Sequence, residues 1–240
     1  MPKKQIQDLE KLDKTLAKIE KRFSTKLDKY YSELESSTLR KVSKYKSGDK
    51  IIIPDSKQAG LDNLFRNHFK NIERVTTEFT KNELSGIFNK PDDLEKIRLL
   101  KLDKMNKYNI KYAKELSVKQ VQDYQDKIKD TLTNALKTNP NLSTKELKEL
   151  VKRDTQSFKN VRVSATSETE SLRVANASKL ELYKKMNIKK VRSIAVLDNR
   201  TTALCRSLHN RVFTIGSQAQ LQTAIPRHVY CRSYYVPEVK

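Results

Sequence analysis

The chain has no tryptophan, two cysteines, four glycines and six prolines among its 240 residues. Apolar residues make up 36% and charged residues 33%, and with so few glycines and prolines this composition favours long, solvated helices over a single compact globule. The length suits one sizeable domain or two small ones. No window approaches the ~18 uninterrupted apolar residues of a membrane helix, so no membrane span is expected. Met1-Pro2-Lys3-Lys4-Gln5-Ile6-Gln7-Asp8 has no apolar core behind its lysines, which argues against a signal peptide. A reducing cytoplasm is the expected place of synthesis, where two cysteines bind metal or stay free more readily than they form a disulfide. There is no P-loop, dinucleotide fingerprint or H-E-x-x-H. The glutamate that base deamination needs two residues after a metal histidine is replaced, after His228, by Tyr230. The expectation is a protein that is not an enzyme.

What the sequence has in excess is positive charge, +21 overall. Residues 161–240 carry 14 basic and 5 acidic groups, which makes this third the most basic per residue. Solvated lysine-rich helix faces would account for part of this. A polyanion, most simply nucleic acid, is the partner such a field attracts, through nonspecific phosphate contact rather than base reading. Lys184, Lys185, Lys189, Lys190, Arg192, Arg206, Arg211 and Arg227 are the candidate contacts.

Apolar periodicity predicts a long helix over residues 5–45, with Leu9, Leu12, Leu16, Ile19, Phe23, Leu27, Tyr30 and Leu34 in one stripe. The stripe suits a coiled coil or a partner's groove, or simple packing within its own domain. Ser47-Gly48-Asp49 breaks it, and Ile51-Ile52-Ile53-Pro54 reads as a short extended segment. A second helix covers about 60–88, with His68 as a lone histidine that reads as a surface or packing residue rather than a ligand. Helical pattern resumes after Pro91 and runs towards Tyr112. Ser117 with Gln120 reads as a capping box opening another helix, which ends at Asn139-Pro140-Asn141. Ser143 with Glu146 caps a further short one.

A helix over 164–186 places Ala165, Leu172, Ala175, Tyr183 and Met186 on one face together with Glu168 and Asn176. Polar groups on such a face need bonding partners, and Arg200 or Arg232 is expected to pair with Glu168. After Asn187 the period changes to that of strands, at 190–197, 212–215 and 233–236. The fold class is therefore predominantly α with a small C-terminal α+β module: long N-terminal helices, then a helix and a short antiparallel β unit. The expected division is 1–115 as a helical region for partner binding and 116–240 as the domain closed by the β module.

Cys205-x3-His209 and His228-x2-Cys231 offer four sulfur and nitrogen donors in two short pairs, the number a tetrahedral zinc ion takes. The spacings are not those of a standard finger, and two buried thiols beside hydrogen-bonding histidines would read the same. No cofactor is expected apart from a zinc ion held by these four. Nothing in the sequence orients a cysteine–histidine pair for nucleophilic catalysis.

The stretch from about Val161 to Arg232 resembles the phage head morphogenesis family, the minor head proteins of the Mu F and SPP1 type. The likeness rests on an ordered set of elements: Ser167-Glu168-Thr169-Glu170, Asn176-Ala177, Tyr183 and Asn187-Ile188. It continues through Asp198-Asn199-Arg200-Thr201, Cys205, Val212-Phe213 and Pro226-Arg227-His228-Val229-Tyr230-Cys231-Arg232. Thr202 stands where many members have a cysteine, and Ser233 replaces the last cysteine of C-R-C. The resemblance implies a virion component of low copy number inside the head near the portal vertex, passing through the host cytoplasm during assembly. Portal protein and other capsid or scaffold proteins would be its partners, and head morphogenesis and genome packaging or ejection its work. Glu168, Asn176, Asp198, Arg200, Thr201, Pro226, His228, Cys231 and Arg232 are the structural motif this implies. The alternative is a zinc-stabilised nucleic-acid-binding or nuclease-like effector using the four Cys and His donors. A phage-encoded toxin is a third class, for which the sequence shows no toxin domain.

Overall fold

The computed structural model describes residues 3–42 and 55–239. Four long helices dominate it: α1 (Lys3–Val42), α2 (Asp55–Ser85), α4 (Asp103–Thr138) and α5 (Thr144–Lys185), with a short α3 (Pro91–Arg98) between the second and third. The Ser47-Gly48-Asp49 break and the extended segment at 51–54 lie outside the described residues. No described helix is long and apolar enough to cross a membrane.

The α1 stripe is buried as its spacing requires, with Leu12, Leu16, Leu27 and Leu34 each at most 1% exposed. Two expected helix starts do not occur. Ser117 lies inside α4, fully buried, and its hydroxyl donates back to the Lys114 carbonyl at 2.8 Å. Ser164 likewise lies inside α5. Neither helix contains a proline or glycine, so nothing removes a backbone donor or relaxes the chain, and the helix runs through the polar residue. The cap at Ser143 is present: Ser143 N donates to Glu146 Oε2 at 2.8 Å and Glu146 N to Ser143 Oγ at 3.3 Å.

The chain forms two compact units, and each long helix contributes a segment to both. One comprises residues 22–67 and 110–164. Its core holds Phe23, Leu27, Phe65, Val121, Ile128 and Leu132. An aromatic cluster also forms there, with Tyr31 and Tyr124 centroids 5.8 Å apart and Phe158 edge-on to both. The buried Tyr31 hydroxyl donates to Gln120 Oε1 at 2.7 Å, so the cluster leaves no cost of an unmet polar group at that atom.

The other unit comprises residues 1–21, 68–109 and 165–240 and carries the β module. Its sheet has the order β2 (Val212–Thr214), β1 (Lys190–Ala195), β3 (Ser233–Pro237), antiparallel throughout, with α6 (Ala203–Ser207) and α7 (Gln218–Gln222) in the connections. Val191 and Phe213 face each other across β1 and β2, and Ser193 and Tyr235 across β1 and β3. All five residues of β3 are buried. An edge strand buried on this scale must have its outward backbone groups met by something other than water. The expected fold class, predominantly helical with a small antiparallel α+β closing module, is the one observed.

Candidate functional site

The C-terminal half of α5 is the wall on which the β module rests. Asn176, 1% exposed, uses its carboxamide as a substitute peptide group: Oδ1 accepts the Tyr235 amide at 2.8 Å and Nδ2 donates to the Ser233 carbonyl at 3.1 Å. Both atoms lie on the side of β3 turned away from β1. One turn later Lys179, with a fully buried side chain, places Nζ 3.1 Å from Glu83 Oε2 of α2. The Tyr183 hydroxyl lies 2.6 Å from the same carboxylate oxygen and 3.3 Å from the Tyr235 carbonyl. A single hydroxyl proton goes to the charged acceptor, and burial beside Glu83 holds that hydroxyl well above the ordinary tyrosine range. Neither Glu83 nor Lys179 was a candidate from sequence. The signal was there in a negative form: at spacings of three and four the stripe 172, 175, 176, 183, 186 has a gap, and Lys179 fills it.

The expected pairing of Glu168 with Arg200 or Arg232 does not form. Arg232 bonds Asp198 instead, in the loop after β1. Asp198 Oδ1 also accepts the Arg200 amide at 3.0 Å, and the Thr201 hydroxyl accepts the Asp198 amide at 2.9 Å. The Asp-Asn-Arg-Thr element thus closes a turn on itself, and the Arg232 side chain tethers that turn to the strand β3 it precedes. Hydrogen bonding by Arg232, above all, holds the Asp198 carboxyl below the ordinary range. The Arg200 side chain is exposed, and only its amide enters the turn.

Glu168 sits instead in an acidic neighbourhood with Glu20 and Asp13. Burial, then the charges of Glu168 and Asp13, push the Glu20 carboxyl up to about 8, against a lowering hydrogen bond from Ser171. The Tyr234 hydroxyl donates to Asp13 Oδ1, and Ser167 donates to the Glu20 carbonyl at 2.9 Å. These contacts fasten the start of α1 to α5 and β3. His68 packs in the same unit, 3% exposed, with Nε2 2.9 Å from Ser171 Oγ, and burial lowers its pKa to about 3. Of the surface and packing roles open to it from sequence, it takes the second, as a neutral histidine.

Of the four Cys and His donors, three converge. The ligand atoms of Cys205, His228 and Cys231 all lie within 4.8 Å of one another. Cys205 Sγ is 3.8 Å from Cys231 Sγ and 3.1 Å from His228 Nε2. Cys205 is carried by α6, whose N-cap Thr202 accepts the Cys205 amide at 3.3 Å and lies 3.1 Å from His228 Nε2. His228 and Cys231 come from one turn, closed by the Cys231 amide on the His228 carbonyl at 3.2 Å. Burial alone would push the Cys205 thiol up, but polar neighbours including Thr202, His228 and Arg227 outweigh it and bring it down to about 6. His209 is not among them. Its Nδ1 accepts the Ala195 amide at 3.1 Å, and its ring borders a separate cavity of about 570 Å³ lined by Leu9, Asp13, Ile194, Val196 and Tyr234.

The eight candidate phosphate contacts divide in two. Arg192 pairs with Glu238 through Nε at 3.0 Å and Nη2 at 2.6 Å. Arg227 donates to Ser193 Oγ at 2.7 Å and to the Thr223 carbonyl. Arg206 donates to the Thr201 and Asp198 carbonyls, and Lys185 to the Lys101 carbonyl. Lys184, Lys189, Lys190 and Arg211 are exposed. Pro226 follows a cis peptide bond at the head of the turn that carries His228 and Cys231.

Among curated proteins and among solved structures nothing matches this chain. A family model does, over residues 126–236, which takes in the last 13 residues of α4, the whole of α5 and the β module up to Val236. Its description is Phage Mu protein F like protein. The residues that fix the module, from Asn176 through the Asp198 turn to the Cys205, His228 and Cys231 cluster, all fall inside the stretch that is similar to this family.

Proposed function

We propose that the protein is a bacteriophage minor head protein that sits at the portal vertex inside the head and acts in head morphogenesis and in packaging or ejecting the genome. The match over residues 126–236 to the Phage Mu protein F like family carries the first part of this reading, since that family points to a phage head morphogenesis protein and to the virion as its place. The work is structural rather than catalytic. Within the matched stretch, polar side chains fasten the small sheet: Asn176 of α5 on β3 and Arg232 on the Asp198 turn.

Nonspecific contact with double-stranded DNA is the second part. It is supported by the charge of +21 and by Lys184, Lys189, Lys190 and Arg211, which are exposed in the domain. A cationic surface of this kind gives affinity through counterion release and no base preference. The helical segments before residue 126 lie outside the family match and are the proposed surface for portal or other capsid proteins.

Co-expression with the portal protein encoded by the same genome tests the reading directly. Stable co-purification is expected. Two proteins that elute separately at all salt concentrations would sink the portal assignment. Duplex DNA binding that does not weaken with salt would sink the phosphate-contact assignment.

A further inference from the structure

Cys205, His228 and Cys231 have a geometry that goes beyond fastening a loop. Zinc–sulfur bonds of about 2.3 Å at a tetrahedral angle place two thiolates about 3.8 Å apart. Cys205 Sγ and Cys231 Sγ are 3.8 Å apart, and both cysteines are free. The 3.1 Å from Cys205 Sγ to His228 Nε2 falls a few tenths of an ångström short of the corresponding edge, a difference that rotation of a half-buried imidazole absorbs.

His228 is oriented by its other nitrogen. Nδ1 lies 2.8 Å from the Val229 carbonyl, which can only accept, so Nδ1 carries a proton and Nε2 is the nitrogen left for a metal. Nε2 faces Cys205 Sγ and Thr202 Oγ1. A backbone carbonyl fixing the tautomer of an imidazole is the support that metal-ligating histidines use. The Arg227 guanidinium, 3.9 Å from Cys205 Sγ, adds positive charge beside a thiolate.

We propose that Cys205 Sγ, Cys231 Sγ and His228 Nε2 bind one thiophilic divalent cation of the zinc class, with three donors from the protein and the fourth corner left to an exchangeable ligand. The chain has no third cysteine, and His68 and His209 are each engaged elsewhere. The ion joins α6 to the turn that leads into β3, two segments otherwise linked there only by side-chain hydrogen bonds. This site stands independently of the portal and DNA readings.

Cobalt titration of the full-length protein, reduced with a phosphine and stripped by chelator, tests the site. A thiolate-to-cobalt charge-transfer band should grow and saturate at about one equivalent, with visible bands of tetrahedral intensity, and zinc should displace them. Cys205→Ser, Cys231→Ser and His228→Gln should each lower cobalt affinity by more than the roughly 10–100-fold that loss of a merely supporting residue costs. His209→Gln should leave the titration unchanged. Far-ultraviolet circular dichroism checks that each variant keeps its helices. In wild-type protein, bound zinc should also protect both thiols from alkylation, a readout that needs no variant. A wild-type titration without a saturating band overturns the site, as does a band that survives both serine variants. Loss of the band in His209→Gln but not in His228→Gln overturns the three-donor set.

Discussion

Asn176 Oδ1 accepts the backbone amide of Tyr235 at 2.8 Å, on the edge of β3 that no further strand among the described residues covers. The same carboxamide donates to the Ser233 carbonyl, so one side chain completes two ladder positions of a buried edge strand. Asn176→Ala leaves a buried N–H and a buried C=O unmet. The expected loss is about 2–3 kcal/mol of stability in the unit that carries the sheet. Asn176→Asp keeps the acceptor for Tyr235, loses the donor to Ser233 and buries a charge, so it should be no milder. Urea denaturation measures the loss, and amide hydrogen exchange at Tyr235 locates it. An exchange rate at Tyr235 unchanged in Asn176→Ala would mean that water or another group already serves that edge.

The buried pair of Lys179 and Glu83 sets up a comparison of single and double replacement. Taking either charge away strands the other in a site with 0% and 6% side-chain exposure. Lys179→Met or Glu83→Leu alone should cost about 3–5 kcal/mol, the Glu83 change also costing the Tyr183 hydroxyl its acceptor. Lys179→Met combined with Glu83→Leu should recover a large part of that, because the desolvation of both ions no longer opposes folding. Lys179 also lies over the Phe79 and Tyr183 rings, at 5.3 and 5.7 Å, so a methionine there keeps most of the packing. Denaturant midpoints at unchanged m-value give the three numbers. Strictly additive single costs in the double variant would contradict the coupling.

These two contacts mark how far the sequence could be read. Periodicity places Asn176 on the inward face of α5, and the need of a buried amide for backbone partners leads to β3. It also gives three short strands at nearly their observed places, because β-branched runs ending at Asp198, Gly216 and Pro237 have few other conformations open to them. What it misses is long-range choice among equals. Arg200 and Arg232 are alike in sequence as companions for Glu168, yet the Asp198 turn captures Arg232, because a carboxylate already oriented by the Arg200 amide and Thr201 is within reach. His209 and His228 are alike as donors beside a cysteine. The left-handed backbone at Asn210 ends α6's loop so that the Ala195 amide meets His209, and only three-dimensional register decides that. The helix starts at Ser117 and Ser164 fail for a different reason: cap residues are permissive signals, and without glycine or proline a helix overrides them.

The Glu20 carboxyl gives the fold a pH dependence of definite sign. Burial, with the charges of Glu168 and Asp13, raises it from the ordinary 4.5 to about 8. A raised acid binds its proton more tightly folded than unfolded, so stability is fully present below about pH 4.5 and falls as pH rises through 8. The expected loss across that window is about 2 kcal/mol, discounted for the part of the side chain that water reaches. Glu20→Gln keeps the neutral shape and should flatten this arm of the profile, leaving the variant more stable than wild type at pH 8.5. Thermal midpoints at several pH values from 5 to 9 make the comparison. A wild-type profile that rises over that range would mean Glu20 is ionised in the folded protein.

The exposed cations make a quantitative expectation for DNA. Lys184, Lys189, Lys190 and Arg211 are exposed, whereas Arg192 is neutralised by Glu238 and Arg227 is spent on Ser193 and Thr223. If the four reach phosphates, the logarithm of the binding constant should fall with the logarithm of salt concentration at a slope of roughly −3 to −4 from this domain alone. Each replacement by glutamine should reduce that slope by about one and weaken binding equally on duplexes of unrelated sequence. Arg192→Gln should act differently, since it breaks an ion pair with Glu238 in the sheet: stability falls, and the salt slope of the folded fraction does not change. Fluorescence anisotropy on two unrelated duplexes between 50 and 200 mM salt, roughly the range over which such contacts are lost, separates the two effects. A slope that stays the same in the quadruple glutamine variant would move the contact surface away from this domain and onto the lysines of the long helices.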